Sequence, residues 1–244
     1  MQVQFLGSGD AFGSGGRLQT CIYVRDEDFA FLMDCGTSSL IGMRQLGVDP
    51  NGVDAVLLTH LHGDHFGGLP FLLLDAQLIS KRQRPLLIAG PRGLEQRVLH
   101  AQEVLFPGSS RVELPFEVRF VELREGESTA VGPAQVSSFP VVHFSGGPSL
   151  ALRVTCREKT ISYSGDTEWT ETLIDAARGA DLFVCEAYFY EKKIRFHLDY
   201  ETLRARLSDL GCGRVVLTHM SEDMLSHVGD VDLEAAYDGM KLEL

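Results

Sequence analysis

The sequence contains few of the residues that build disulfide frameworks, structural zinc sites or membrane spans. Its 244 residues include five cysteines, none of them in a Cys-x-x-Cys pair. An odd number of isolated cysteines is typical of buried thiols in a reducing compartment. No apolar run reaches the roughly 20 residues that a membrane-spanning helix needs. We therefore expect no membrane partner, and a cytoplasmic location because the first residues form a strand rather than a signal peptide.

Basic residues are scarce as well. The chain has 22 Lys and Arg against 34 Asp and Glu, which gives a formal net charge of −12. Such a surface disfavours broad contact with phosphate backbones, so we expect no stable complex with nucleic acid. The hydrophobic fraction of 44% is ample for a core, and we expect one large layered domain over residues 1–244.

Histidine and aspartate are concentrated in one short segment. Residues 60–65 read His-Leu-His-Gly-Asp-His and directly follow an apolar run. His60 and His62 point to the same side of an extended segment, whereas Asp64 and His65 can turn toward a second point after the intervening glycine. Neutral imidazole and carboxylate are ligands for Zn, Mn and Fe. A solvated His-rich turn is the alternative, but this spacing favours two divalent ions.

Three more residues of ligand type follow other predicted strands. His143, Asp166 and His219 each stand at the end of a short apolar run. In open sheets flanked by helices, ligands bind at such strand ends. Together with the segment at 60–65, these residues predict a binuclear metal site at one edge of the fold.

The order and spacing of these motifs resemble the metallo-β-lactamase superfamily, and its phosphodiesterase branch in particular. The resemblance extends over nearly the whole chain, from Phe-Leu-Gly-Ser-Gly at 5–9 through Ser-Gly-Asp-Thr at 164–167 to Leu-Thr-His at 217–219. It implies an α/β (α+β) fold, a four-layer αββα sandwich. It also implies a hydrolase with two divalent metal ions, for which Zn²⁺ is expected and Mn²⁺ is the alternative.

The resemblance assigns a role to each residue of ligand type. The implied ligands of one metal are His60, His62 and His143. The implied ligands of the other are Asp64, His65 and His219, with Asp64 also counted as catalytic. The implied bridge is Asp166. Two such ions polarise a substrate and lower the pKa of a water between them, so the implied attacking group is a bridging hydroxide.

His197 and Glu186 lie outside this ligand set and resemble the His and Glu of the phosphodiesterase branch. A carboxylate bonded to an imidazole orients it and raises its basicity, which suits a general acid. We predict that His197, oriented by Glu186, protonates the leaving group. The alternatives are a surface histidine near a helix start and an exposed strand-end carboxylate. Asp199 either caps the next helix or helps to orient His197.

The spacing between His143 and Asp166 bears on the substrate. tRNase Z, in the same branch, usually inserts a long tRNA-gripping arm between these positions, which here are 23 residues apart. The resemblance and the acidic charge together favour a small or cyclic phosphodiester as the substrate. A tRNase Z-like tRNA 3′-end endoribonuclease and a thioester or lactam hydrolase of the same fold remain alternatives. A homodimer, common in this branch, is left open.

Several further elements and residues complete the predictions. Helices are predicted at 67–80 and 200–210, and a last strand near 236–243. The glycine-rich loop at 7–16 either turns the chain or lines a phosphate site, and it contains Asp10 as a candidate contact. Three residues lie outside the site proper. Asp34 resembles a residue behind the metal ligands, His100 is expected to be structural or exposed on a helix face, and His227 is expected at the surface.

Overall fold

Two sheets of seven strands form the frame of the protein, in a computed structural model that describes residues 1–244. The first sheet contains β1 (Gln2–Gly7), β2 (Cys21–Asp26), β3 (Phe29–Met33), β4 (Ala55–Leu57), β5 (Leu86–Gly90), β6 (Val118–Glu122) and β14 (Lys241–Glu243). The second contains β7 (Ser128–Val131), β8 (Ala134–Pro140), β9 (Leu150–Cys156), β10 (Lys159–Tyr163), β11 (Leu182–Glu186), β12 (Val215–Thr218) and β13 (Glu234–Ala235). Their spatial orders are β14-β1-β2-β3-β4-β5-β6 and β13-β12-β11-β10-β9-β8-β7.

Helices cover the outer faces of both sheets. Those packed on the first sheet are α1 (Ser39–Leu46), α3 (Leu69–Leu78) and α4 (Leu94–Leu105), with the short α2 (Gly63–Phe66) before α3. Those packed on the second are α5 (Thr172–Ala177), α6 (Tyr200–Ala205), α7 (Leu207–Leu210) and α8 (Glu222–Ser226). The predicted four-layer αββα sandwich is therefore confirmed.

Strict alternation of side chains explains why both faces of each sheet are apolar. In β3, Phe31 and Met33 enter the cluster between the sheets, whereas Leu32 packs under the helices. In β11, Val184 enters the central cluster and Phe183 faces the helices. The central cluster is the largest of the three, with 26 buried residues. Since a fully buried large apolar side chain contributes about 1.5–3 kcal/mol, the inter-sheet core is the largest of the three apolar contributions to the stability of the fold.

The carboxyl ends of parallel strands from both sheets meet at one edge. Strands β3 to β6 run parallel, as do β10 to β13. Two backbone hydrogen bonds join the sheets there, from Leu150 N to Thr59 O (3.0 Å) and from His219 N to Ser8 O (3.1 Å). The residues that follow these strands therefore face a shared cleft.

Three predicted elements differ from the structure. The helix expected at 67–80 is α3, which is shorter at both ends (Leu69–Leu78), and a separate short helix, α2, precedes it. Between them Gly68 packs against the Gly36 carbonyl oxygen, which would lie 2.2 Å from a Cβ at this position. The helix expected at 200–210 breaks between α6 and α7 at Arg206, whose backbone leaves the helical region (φ −114°, ψ 4°). Of the strand expected near 236–243, only β14 at its end forms. A turn with Gly239 at φ 92° precedes it, and the short β13 before that turn pairs in the other sheet.

Most of the cysteines are buried, as the sequence predicted. All five cysteines are free thiols, and all but Cys212 are buried. Burial raises the pKa of the Cys35 thiol to about 12, as expected of a cysteine that acts as a small apolar side chain. None of the helices has both the length and the apolar character needed to cross a bilayer.

Candidate metal centre

The candidate metal-binding loop, residues 60–65, starts just after β4 ends. Leu58 N donates to Ala89 O (2.8 Å) and Thr59 N donates to Asp34 Oδ1 (2.8 Å), so the chain stays extended up to His60. It then turns into α2, which has His62 at its N-cap position. The turn separates the first two histidines of the loop from its Asp and last His, as the spacing predicted.

The residues of ligand type form two adjacent groups. In each group the candidate donor atoms lie within 4.8 Å of one another. The first group consists of His60, His62 and His143. The second consists of Asp64, His65, Asp166 and His219. All seven residues that the sequence put forward are thus gathered at one edge of the sandwich.

Asp166 lies between the two groups. Its Oδ2 is 3.3 Å from Nε2 of His65, 3.3 Å from that of His219, 3.8 Å from that of His60 and 3.9 Å from that of His143. These imidazoles come from both groups, so this one carboxylate is in the position that a bridging ligand would occupy.

Several donor atoms lack the partner that a cation would provide. His60 Nε2, His65 Nε2 and Asp166 Oδ1 are buried and have no hydrogen-bond partner. A buried polar group left unsatisfied costs about 1–3 kcal/mol. Imidazole nitrogens and carboxylate oxygens in groups of three and four are a suitable donor set for Zn²⁺ or Mn²⁺. The residues present therefore fit two divalent ions.

Hydrogen bonds behind the ligands orient the loop histidines. Asp34 Oδ2 is 2.6 Å from Nδ1 of His65, and Thr59 Oγ1 donates to the same carboxylate (2.8 Å). Thr59 Oγ1 is also 3.0 Å from Nδ1 of His60. Because Nδ1 is occupied in both rings, Nε2 faces the centre, as in carboxylate–histidine–metal arrangements.

The two ligands from the second sheet are anchored in the same way. His143 Nδ1 is 2.8 Å from the Phe196 carbonyl oxygen, and His219 Nδ1 is 3.3 Å from Thr20 Oγ1. Phe196 and His219 also have positive φ angles, 73° and 56°. Non-glycine residues adopt this conformation at a cost, and such residues cluster at functional sites.

Charge in the centre is distributed between neutral and ionised groups. Burial lowers the pKa of His60 well below its usual value, so its ring is neutral and can bind a cation. Burial opposes ionisation of Asp166, but His219 and His65 hold the pKa of this carboxyl well below its usual range. Burial would lower the pKa of His65, but Asp166 and Asp64 raise it, so a proton occupies this ring until a cation replaces it.

His197 and Glu186 form a hydrogen-bonded pair beside the ligands. His197 Nδ1 is 2.9 Å from Oε2 of Glu186, the buried last residue of β11, whose Oε1 accepts from the Thr167 amide. The rings of His197 and His143 are 4.9 Å apart. The pair is therefore part of the cleft, unlike the surface histidine and exposed carboxylate that were the alternatives.

This pair holds a proton at neutral pH. Burial alone would lower the pKa of His197, but the Glu186 carboxylate raises it to about 9. Burial raises the pKa of Glu186 to about 7, although His197 opposes that rise. The imidazole has its Nδ1 side bonded to the carboxylate, which leaves Nε2 for the cleft.

Aromatic side chains at the mouth were not identified from the sequence. The Tyr188 ring lies 4.7 Å from that of His197 and is tilted by 30°. Phe144 is 72% exposed, and its ring centroid is 6.1 Å from that of Phe196. For Phe144 and Phe196, the sequence offers one signal, which is that Phe144 follows His143 and Phe196 precedes His197.

Polar groups of the glycine-rich loop at 7–16 form hydrogen bonds with other residues of the protein. Asp10 accepts from the amide and hydroxyl of Ser14 (2.9 and 2.8 Å). Asp238 accepts from the amide and hydroxyl of Ser8 (both 2.9 Å), a partner that lies 230 positions away in the sequence. These contacts favour the structural interpretation of the loop over phosphate binding.

The other candidates have local roles. Asp199 caps α6, accepting from Thr202 N (2.9 Å) and Thr202 Oγ1 (2.7 Å), which decides between its two alternatives in favour of the cap. The His227 ring stacks on Tyr190 at 4.4 Å. His100 is exposed on α4, as expected.

Two mixed sheets with helices outside and a His/Asp centre at their common edge define a metallo-β-lactamase-fold hydrolase. Within that class, the family model described as "Anti-Pycsar protein Apyc1" matches residues 1–235. The chain belongs to this family.

Similar proteins are found among both sequences and solved structures. A ribonuclease Z from Lachnoclostridium phytofermentans is 27% identical, over 92% of this chain and 88% of its own. The human short form of tRNase Z superposes with a TM-score of 0.80 at 26% identity, over 100% of this chain and 99% of its own. Zn²⁺-bound PqqB from Methylobacterium extorquens shares the fold, with a TM-score of 0.74 at 18% identity and 100% coverage of both chains.

Proposed function

We propose that the protein is a binuclear-metal phosphodiesterase that cleaves a small or cyclic phosphodiester, with His197 protonating the leaving oxygen. The observation that carries this proposal is the 2.9 Å contact between His197 and the buried Glu186 beside the seven residues of ligand type. An alkoxide is a poor leaving group and needs a proton, whereas a thiolate does not. A positioned proton donor therefore favours an alkoxide leaving group, as in a phosphodiester, over the thiolate of a thioester.

In this proposal the ligand-type residues hold two ions. One would be held by His60, His62 and His143, and the other by Asp64, His65 and His219, with Asp166 in reach of both. Bound ions of this kind supply a Lewis acid and a water of lowered pKa.

The chain's own residues then manage the leaving group. His197 delivers its proton from Nε2 to the leaving oxygen, while Glu186 keeps the opposite side of the ring bonded and stabilises the imidazolium until that transfer. Thr167 N holds the second Glu186 oxygen, so the carboxylate cannot rotate away. General acids positioned in this way contribute about 10²–10⁴-fold to a rate.

The segment between His143 and Asp166 supports a small substrate. It contains a loop and the β9–β10 hairpin, in which Lys159 pairs with Cys156. The net charge of −12 also opposes broad contact with a long phosphate backbone.

A tRNA 3′-end endoribonuclease is the second candidate, and one observation favours it. Curated relatives that match most of the chain carry the name Ribonuclease Z, including the one that is 27% identical. A precursor tRNA with a 3′ trailer tests this candidate. Cleavage of that RNA at a rate exceeding that of every small phosphodiester would make it the better description.

Hydrolysis of bis-p-nitrophenyl phosphate by protein loaded with Mn²⁺ or Zn²⁺ tests the proposal. We expect turnover that depends on added metal and is abolished in His62→Ala. The matched control is His227→Ala, which removes an imidazole that stacks on Tyr190 and should leave turnover unchanged. The proposal would be contradicted if wild-type protein of measured metal content hydrolysed the substrate no faster than His62→Ala.

A further inference from the structure

Three arginines differ from the rest of the chain in having no polar partner. Among seventeen arginines, the other fourteen make an ion pair or a hydrogen bond through their side chains. Arg92, Arg97 and Arg195 make neither, although acidic residues outnumber basic ones by twelve. Arg195 lies over the Phe196 ring at 4.7 Å, whereas the guanidinium groups of Arg92 and Arg97 are free to bind an anion from outside.

Two of these arginines line one recess. It has a volume of about 220 Å³ and includes Leu61, Arg92, Arg97, His100, Ser145 and Gly147 in its wall. None of the lining residues is a carboxylate. Pockets that enclose a whole small molecule occupy roughly 300–1,000 Å³, so this one is suited to a single group such as a phosphate.

The recess adjoins the first group of metal ligands. Leu61 stands between His60 and His62 in the candidate metal-binding loop, and Ser145 follows His143 by two positions. The opposite wall is the start of α4 with its arginines. The recess and the candidate metal centre therefore share the loops that carry His60, His62 and His143.

The loop side of the recess lies close to Arg97. A Cβ on Gly146 would lie 3.8 Å from Arg97 Nη2. Arg92 also borders a second groove that contains Glu122 and Glu125, so Arg97 is the more specific probe.

We propose that this recess is a second anion subsite, which binds a phosphate of the substrate other than the one cleaved. The inference rests on the proposed function, and it narrows the substrate class to phosphodiesters that carry an additional phosphate. Guanidinium groups bind phosphate through two parallel hydrogen bonds, and His100 adds a third donor. The local positive charge also attracts such substrates to an otherwise acidic protein.

The first test measures binding without catalysis. Metal-stripped protein with ¹⁵N-labelled arginine is titrated with inorganic phosphate, and the Nε–H signals of Arg92 and Arg97 are followed by NMR. We expect both signals to shift and to saturate as phosphate is added. In Arg97→Gln, the Arg92 signal should report an affinity for phosphate that is about tenfold weaker. The control is Arg111→Gln, which removes an exposed arginine that reaches only Glu103 (3.6 Å). Shifts that are absent, or unchanged in Arg97→Gln, would overturn the subsite.

The second test uses metal-loaded enzyme and pairs of cyclic nucleotides with and without an added terminal phosphate. We expect the added phosphate to lower KM, and Arg97→Gln to remove that advantage of about tenfold while bis-p-nitrophenyl phosphate turnover is unchanged. The subsite would be overturned if Arg97→Gln reduced kcat/KM equally for the cyclic nucleotides with and without the added phosphate. Phosphate binding at Arg97 without turnover of any phosphodiester would support the subsite and contradict the proposed function. Turnover of phosphodiesters that is unaffected by Arg97→Gln would support the proposed function and contradict the subsite.

Discussion

His143 and His197 are connected through one short segment of backbone. The Phe196 carbonyl accepts from His143, and the next residue is the proposed acid. A ligand of the first metal group and the proton donor are thus positioned by the same peptide, which has a positive φ at Phe196. This connection explains how the donor keeps a fixed place relative to the centre.

Replacing His197 should affect substrates according to their leaving groups. In His197→Ala we expect kcat to fall by about 10²–10⁴-fold for an alkoxide leaving group, because the proton donor is gone. The loss should be small for p-nitrophenolate and absent for a thioester. The measurement is a series of phosphodiesters with leaving groups of increasing pKa. Equal losses across the series would show that His197 acts in another way.

The pH dependence of the reaction should follow the same residue. The pKa of His197 is raised to about 9, so the ring is protonated below that pH and loses its proton above it. The alkoxide reaction should therefore decline as pH rises through this region, at a somewhat lower pH when cations are bound nearby. Glu186→Gln should move the decline to lower pH, because the carboxylate that raises the pKa is removed. An unmoved decline would contradict the role of Glu186.

At the residue scale, the sequence was most informative where the spacing was short. The cluster at 60–65 predicted two sets of donors because alternation and a glycine turn follow from local geometry. Phe144 and Tyr188 could not be predicted in the same way, since isolated aromatic residues resemble core residues. The roles of the candidate ligands stay predictions until metal is measured.

At the scale of elements, the ends of strands hold the centre. Asp34 follows β3, Thr59 follows β4 and Glu186 ends β11. Each bonds to the Nδ1 atom of a histidine, which is His65, His60 and His197 respectively. Because neighbouring parallel strands end at one edge, short strands of ordinary composition suffice to align these groups.

Removing the carboxylate behind His65 tests this arrangement. In Asp34→Asn we expect metal affinity to fall about 10–100-fold, since the ring loses the partner that orients Nε2. Competition with a chromophoric chelator measures the affinity. The control is Asp75→Asn, which changes a buried aspartate of α3 that pairs with Arg44. Equal affinities in the two variants would contradict the role of Asp34.

Element boundaries were predictable where periodicity was clear and less so elsewhere. Strands such as β3 and β11 follow from apolar runs. The pairing of β13 and β14 with different sheets was not predictable, because it depends on partners more than 200 residues away in the case of β14 and β1.

At the scale of the molecule, the candidate metal centre lies where the two sheets meet. Its ligands follow strands of both sheets, so cations bound there would hold the halves of the sandwich together. The single domain expected from the chain length also stays a prediction, which one cooperative unfolding transition would support.

Metal removal should lower the stability of the whole fold. Ions that bind only the folded state stabilise it by about 2.7 kcal/mol when present at 100 times Kd. We expect chelation to lower Tm and added Zn²⁺ or Mn²⁺ to restore it, as measured by calorimetry. His62→Ala should show a smaller restoration. The assigned ligand set would be contradicted if the Tm of wild-type protein were the same with and without metal.

Comparing substrates on one preparation with two measured ions per chain tests the central claim most directly. The panel contains cyclic nucleotides, a precursor tRNA and a thioester, each assayed with the wild-type protein and with His62→Ala. The predicted result is a kcat/KM for at least one small phosphodiester that exceeds those of tRNA and thioester and is lost in the variant. A small-phosphodiester rate equal to that of His62→Ala, together with cleavage of tRNA or thioester, would contradict it.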